Sequence, residues 1–97
     1  MRYNLRSEYS RQKSFYGKAI VTEYSNRLSI LTSYKTEVAM IKNGIFYRLW
    51  NGYSVTTQNH INEYRQQNGM EKLSKAEWLS IPVNTENPVI DIIQAIN

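Results

Sequence analysis

His60 is the single histidine of the chain and stands in a strip of threonines, amides and acids, YSVTTQNHINEYRQQNG at residues 53–69. A general base needs a hydrogen-bond partner, and Glu63 three residues on, Asn59 beside it or Glu77 further along would supply one. Set against that chemistry, a lone histidine beside an apolar stripe is far more often a boundary residue with its hydrogen bonds satisfied, which is the reading the sequence favours. A catalytic metal usually takes three protein ligands, and one histidine with acids at no matching spacing does not make a zinc or iron site. There is no Gly-x-Ser-x-Gly elbow, and Ser10 to Lys13 has the Ser-x-x-Lys spacing without the company an enzyme gives it. The four glycines fall at turns or caps, so none is left to cradle a phosphate. The sequence therefore predicts no catalytic residue, no metal, no cofactor and no enzyme.

A second set of residues suits binding. Arg2, Arg6, Arg11, Lys13 and Lys18 are interleaved with Tyr3, Tyr9, Phe15 and Tyr16. Cations to meet phosphates and rings to stack on bases are the combination used on single strands and flexible RNA. Only five cations are available, Glu8 sits among them, and a solvated basic face with tyrosines tucked on the core would spell the same letters. Nucleic acid is therefore the second expectation. Net charge is +4, but it is uneven: residues 1–50 carry nine Lys/Arg against three acids, and residues 51–97 carry three against five. The first expectation is a protein partner, because Arg, Tyr and Trp are enriched at interface hot spots. Arg48 and Trp50 share a strand face with Phe46; the plain account makes Phe46 and Trp50 core and leaves Arg48 at the rim.

The elements that must position these residues follow from hydrophobic period. Residues 4–12, NLRSEYSRQ, suit a short helix through the Leu5 and Tyr9 spacing. From residue 18 the texture changes to alternating runs, KAIVTEY and RLSILTSY, joined by a tight turn at Ser25-Asn26. In the second run Leu28, Ile30, Thr32 and Tyr34 face one way, and Arg27, Ser29, Leu31 and Ser33 the other, making one face the drier. TEVAMIK meets IFYRLW across Asn43-Gly44, a dipeptide that accepts the positive φ values of a type I′ turn. Four strands with such short links make an antiparallel meander over residues 18–50. After residue 52 the period becomes 3.6: Thr57, Ile61 and Tyr64 line one stripe of a helix over 57–68, capped by Thr56 or Thr57 and stopped at Gly69. Ser74 and Glu77 have capping-box spacing, open a helical turn over 75–80 that presents Trp78, and Pro82 ends it. The expected fold is thus α+β, a four-stranded antiparallel meander packed by one main helix, with short helical elements at each end.

The tail, residues 83–97, places Val89, Ile90, Ile92, Ile93 and Ile96 within eight residues. Such a segment packs across its own sheet or joins two copies. The fourth strand is largely apolar on both faces, Ile45, Tyr47 and Leu49 against Phe46, Arg48 and Trp50, which asks for a cover on each and makes a homodimer a candidate. At 97 residues the chain reads as one domain: a basic and aromatic segment at 1–17, a core at 18–80 and the apolar element at 83–97. It has no cysteine, no signal-peptide pattern and no stretch of roughly 20 apolar residues, so the cytoplasm is the default location and no membrane partner is expected.

Three blocks in order, QKSFYGKA (12–19), SYKTEVAMI (33–41) and residues 53–69, resemble a family of short proteins of unknown function from Gram-positive bacteria, their phages and other mobile elements. The shared pattern is Ser-Phe-Tyr-x-Lys-Ala, Ser-Tyr-x-Thr-x-Val-Ala-x-Ile, Tyr-Ser-x-Thr-Thr-x-x-His-Ile-x-Glu-Phe and Gln-Asn-Gly; Tyr64 stands here where the family more often has Phe. The resemblance implies a phage or mobile-element accessory protein and no particular reaction. Small proteins of that kind commonly act by binding a host enzyme, a defence factor or nucleic acid.

Overall fold

A computed structural model of the chain describes residues 1–10 and 15–84. Five strands, β1 (Arg2–Asn4), β2 (Ala19–Ser25), β3 (Leu28–Ser33), β4 (Thr36–Lys42) and β5 (Ile45–Arg48), form one antiparallel sheet in sequence order, followed by α1 (Val55–Gln67) and α2 (Lys75–Ser80). The fold is α+β with one main helix, as the hydrophobic periods predict, but the sheet has five strands rather than four. The extra strand lies just before the stretch that suits a helix, residues 4–12, and shares only Asn4 with it. Met1 and Glu23 exchange backbone hydrogen bonds, the Leu5 N–H donates to the Ala19 carbonyl, and Tyr3 stands opposite Val21. The unpaired side of β2 thus captures residues 1–5, and Leu5 enters the core while Tyr9, four residues on, stays exposed. The two residues share no helical face because residues 5–10 are not helical.

The β4–β5 turn is as expected, with Asn43 at φ 53° and Gly44 at φ 78°. The β3–β4 turn is not: Tyr34 and Lys35 adopt φ 49° and 77° although neither is glycine. Left-handed backbone at an ordinary residue costs roughly 1–2 kcal/mol. A bulge opposite Leu31 and Thr32 adds Val38 to β4, so Val38, Ala39, Met40 and Ile41 are all buried in an unbroken run.

The helix α1 begins two residues earlier than its periodicity suggests, because the Ser54 hydroxyl, not a threonine, accepts the Thr57 N–H at 3.1 Å. It ends as read: Gly69 is left-handed, and the Gly69 and Met70 N–H groups return to the Gln66 and Arg65 carbonyls. The capping box of Ser74 and Glu77 starts α2. Thr57, Ile61 and Tyr64 are buried, as their stripe predicts. That stripe lies on the serine side of β3, where Ser29 meets the Tyr64 hydroxyl at 2.6 Å and Ser33 meets Thr57. Leu31, Ala39, Ile41, Phe15 and Trp78 complete this core, while Leu28, Ile30 and Met40 form a separate buried cluster with Tyr47 and Leu49. The proposed self-association residues Val89, Ile90, Ile92, Ile93 and Ile96 lie outside the described residues, as do Arg11 and Lys13.

Candidate functional site

The face of α1 that meets the sheet carries His60, and its surroundings define what it can do. Its Nδ1 lies 2.8 Å from the Ser33 hydroxyl, which is also 3.0 Å from that of Thr57. Phe15 packs edge-on with its ring centroid 4.7 Å away, and the Tyr34 ring is 5.6 Å away. The residue is 0 % exposed, and its Nε2 is buried without a hydrogen-bond partner. Burial first, and the charge of Lys18 second, hold the imidazole down to about 4, so it is neutral at physiological pH. Ser33 and His60 have the separation of a nucleophile and its base, but Ser33 is buried too, and neither group meets solvent. Among the described residues no cluster of three or more His, Cys, Asp or Glu is arranged to hold a metal ion.

The acids proposed as partners of His60 are committed elsewhere. Glu77 closes the capping box of α2. Glu63 is 1 % exposed; its Oε1 accepts the backbone N–H groups of Glu8, Tyr9 and Ser10 at 3.0, 2.8 and 2.9 Å, and its Oε2 accepts the Gln67 amide at 2.7 Å. Gln67 also donates to the Arg6 carbonyl at 2.7 Å. Helix α1 therefore holds the N-terminal arm by its main chain. Arg48 does the corresponding work at the other edge of the sheet, in β5. Rather than lying at the rim, it is 5 % exposed, with Nε on the Trp50 carbonyl, one terminal nitrogen near the carbonyls of Trp78, Leu79 and Ile81, and its guanidinium 4.7 Å from the Trp78 ring. Phe46 and Trp50, the expected core residues of that face, are only half-buried.

Pinning the arm creates a concavity of about 710 Å³ along β1, lined by Tyr3, Leu5, Arg6, Phe15, Tyr16 and Gln67 among others. Tyr16 is 78 % exposed. Asn4 receives the Gly17 N–H on its side chain at 3.0 Å, which ties the 15–18 turn to the strand. The tyrosine hydroxyl of Tyr3 is raised to about 12, by burial and then by its hydrogen bond to Glu23, so it is a neutral donor.

Of the residues read as nucleic-acid contacts, Arg2, Arg6, Lys18 and Tyr9 are exposed. Phe15 is not available for stacking on a base: it is 1 % exposed and packs on His60. Two residues missed in that reading, Tyr34 and Lys35, are brought beside Lys18 by the Ala19–Ser33 pairing and by the hydrogen bond from the Tyr34 N–H to the Lys18 carbonyl. No sequence pattern near Tyr34 announces this; it follows from strand register alone. No helix among the described residues is long and apolar enough to cross a membrane.

Residues 3–80 match a family model described as a family of unknown function, DUF8033. The match begins within β1, ends with α2 and stops before the apolar tail. No curated protein and no solved structure matches the chain.

Proposed function

We propose that this chain, which belongs to the family of unknown function DUF8033, is a non-enzymatic accessory protein of a phage or mobile element. In this reading it works by binding another protein, a host or defence factor, through the groove beside β1. The observation that carries it is the convergence of Tyr3, Arg6 and Tyr16 on one concave surface whose backbone is fixed by Glu63 and Gln67. Tyrosine and arginine on a preformed concavity supply large contact area and charge-assisted hydrogen bonds at little ordering cost. The burial of both His60 ring nitrogens supports a structural rather than catalytic histidine. The resemblance of residues 12–19, 33–41 and 53–69 to proteins of phages and mobile elements is what suggests the genomic setting, and host cytoplasm is the compartment that goes with it.

Affinity capture with quantitative mass spectrometry tests the reading. A protein recovered with the wild type and with Val55→Ala, an exposed residue at the far end of α1, but lost with Tyr16→Ala and Arg6→Glu, supports it. Identical recovery with all four baits counts against it.

A second reading is nucleic-acid binding on Arg6, Lys18 and Lys35 with Tyr16 and Tyr34, at the end of the sheet where β2 begins, which the strand register brings together. A mobility-shift series checks it: binding should weaken with salt at a slope of about −0.7 per contacted phosphate on single strands. No retardation at low salt rejects it.

A further inference from the structure

The geometry points to strand addition at the outer edge of β1, which pairs with no strand among the described residues, as the mode of binding, with an extended acidic segment of another protein as the occupant. This deepens the protein-binding reading and rests on it. Hydrogen-bonded pairs alternate along an antiparallel ladder. Met1 bonds Glu23 and Leu5 bonds Ala19, so Tyr3 also turns its main chain toward β2, and the N–H and C=O groups of Arg2 and Asn4 point away from the sheet. Both residues are exposed. The sheet's other edge is different: β5 is flanked by a parallel bridge between Arg48 and Val83, and the Asn84 N–H donates to the Arg48 carbonyl at 2.7 Å.

A segment laid along β1 would send alternate side chains to the face shared by Tyr3 and Leu5, over the groove that Phe15, Tyr16 and Gln67 also line. Three residues of strand give few main-chain hydrogen bonds, so the groove must supply the rest of the affinity. Charge selects the occupant. Arg2 and Arg6 flank the edge, Glu8 is the acid among the groove's lining residues, and the first half of the chain carries nine cations against three acids. An acidic segment with an apolar or aromatic residue at alternate positions matches edge and groove together, whereas a basic one is repelled.

A displayed library of random linear peptides, panned on the full chain, provides the probe. Acidic, alternating peptides are expected to be enriched, and their affinities are then measured by titration calorimetry. Arg2→Pro removes one outward N–H and no ladder bond, since proline is tolerated on an edge strand with that side to solvent. It should weaken binding at least about tenfold beyond Arg2→Ala, which removes the charge alone. Because the proline variant alters the arm itself, a second measurement leaves the protein untouched: N-methylation of alternate peptide residues in one register abolishes binding, and in the other register spares it. Register-independent methylation, together with equal affinities for Arg2→Pro and Arg2→Ala, overturns strand addition. If Tyr16→Ala still abolishes binding in that case, the groove reading stands without it. Failure of every peptide to enrich counts against the extended occupant, while recovery of a protein by capture would leave the parent reading intact. A wild-type dimer that Arg2→Pro dissociates in sedimentation would make the occupant a second copy and overturn the proposal.

Discussion

Glu63 and Arg48 are two buried charges of opposite sign at opposite edges of one sheet, and both are spent on backbone. Glu63 gathers three N–H groups of an irregular arm on one oxygen; Arg48 spreads its donors over carbonyls at the end of α2 and stacks on Trp78. The difference is in what each segment lacked. The arm has N–H groups that no helix or strand ladder uses, whereas the last turn of a helix has carbonyls without intrahelical partners and a dipole that favours a cation. A carboxylate suits the first and a guanidinium fork the second. Each charge thereby fixes a segment whose own sequence would not fix it.

Variants can break this pairing of roles, and the largest effect belongs to Arg48. Arg48→Met keeps the stem but leaves buried carbonyls unpaired, and a loss of about 4 kcal/mol in chemical denaturation is expected. Arg48→Lys should recover little of it, because an ammonium has neither the fork nor the flat face.

His60 sharpens the contrast, since it is a buried titratable group with no such backbone partners and so stays neutral. Its imidazole titrates near 4 in the native state against an ordinary value of 6.5, so between these pH values the unfolded chain binds a proton that the folded one refuses. Stability should be unaffected above pH 6.5, fall as pH drops toward 4 by about 3 kcal/mol, and level off below. Thermal unfolding against pH should show that slope in the wild type, and His60→Gln should flatten it.

Glu63→Gln comes next, at about 2 kcal/mol, the usual worth of hydrogen bonds to a charged acceptor, and its effect should concentrate in the arm. The smallest change is stabilising. Lys35 is an exposed cation in a left-handed turn, and Lys35→Gly should relieve that strain and raise stability by up to about 1 kcal/mol, read as a shift in denaturation midpoint.

The parts of this fold written in local chemistry were legible beforehand: the Asn43-Gly44 turn, the Thr57, Ile61 and Tyr64 stripe, the Gly69 stop and the Ser74 to Glu77 capping box. What depended on partners distant in sequence was not. Arg2 to Asn4 carries no alternation of its own and becomes a strand only because β2 has an unpaired side. The Tyr34-Lys35 turn contains no glycine to signal it, and its φ values are imposed by the strands on either side. Phe15 looked like a stacking ring because its neighbours are basic, but Ala19 and His60 draw it into the core. Arg48, expected at the rim, and Glu63, expected as a partner of His60, differ from expectation for a shared reason: a charged letter does not say which backbone groups await it, and only the fold reveals them. The serines of β3 belong with them, since Ser29 and Ser33 look like the wet side of the strand and instead carry the polar contacts of the helix.

Binding at β1 depends on the arm being a fixed part of the surface, and amide hydrogen exchange tests that most directly. In the wild type the Glu8, Tyr9 and Ser10 amides should be strongly protected, and in Glu63→Gln they should exchange far faster while the amides of α2 keep their rates. Rapid exchange of those three amides in the wild type would contradict the account.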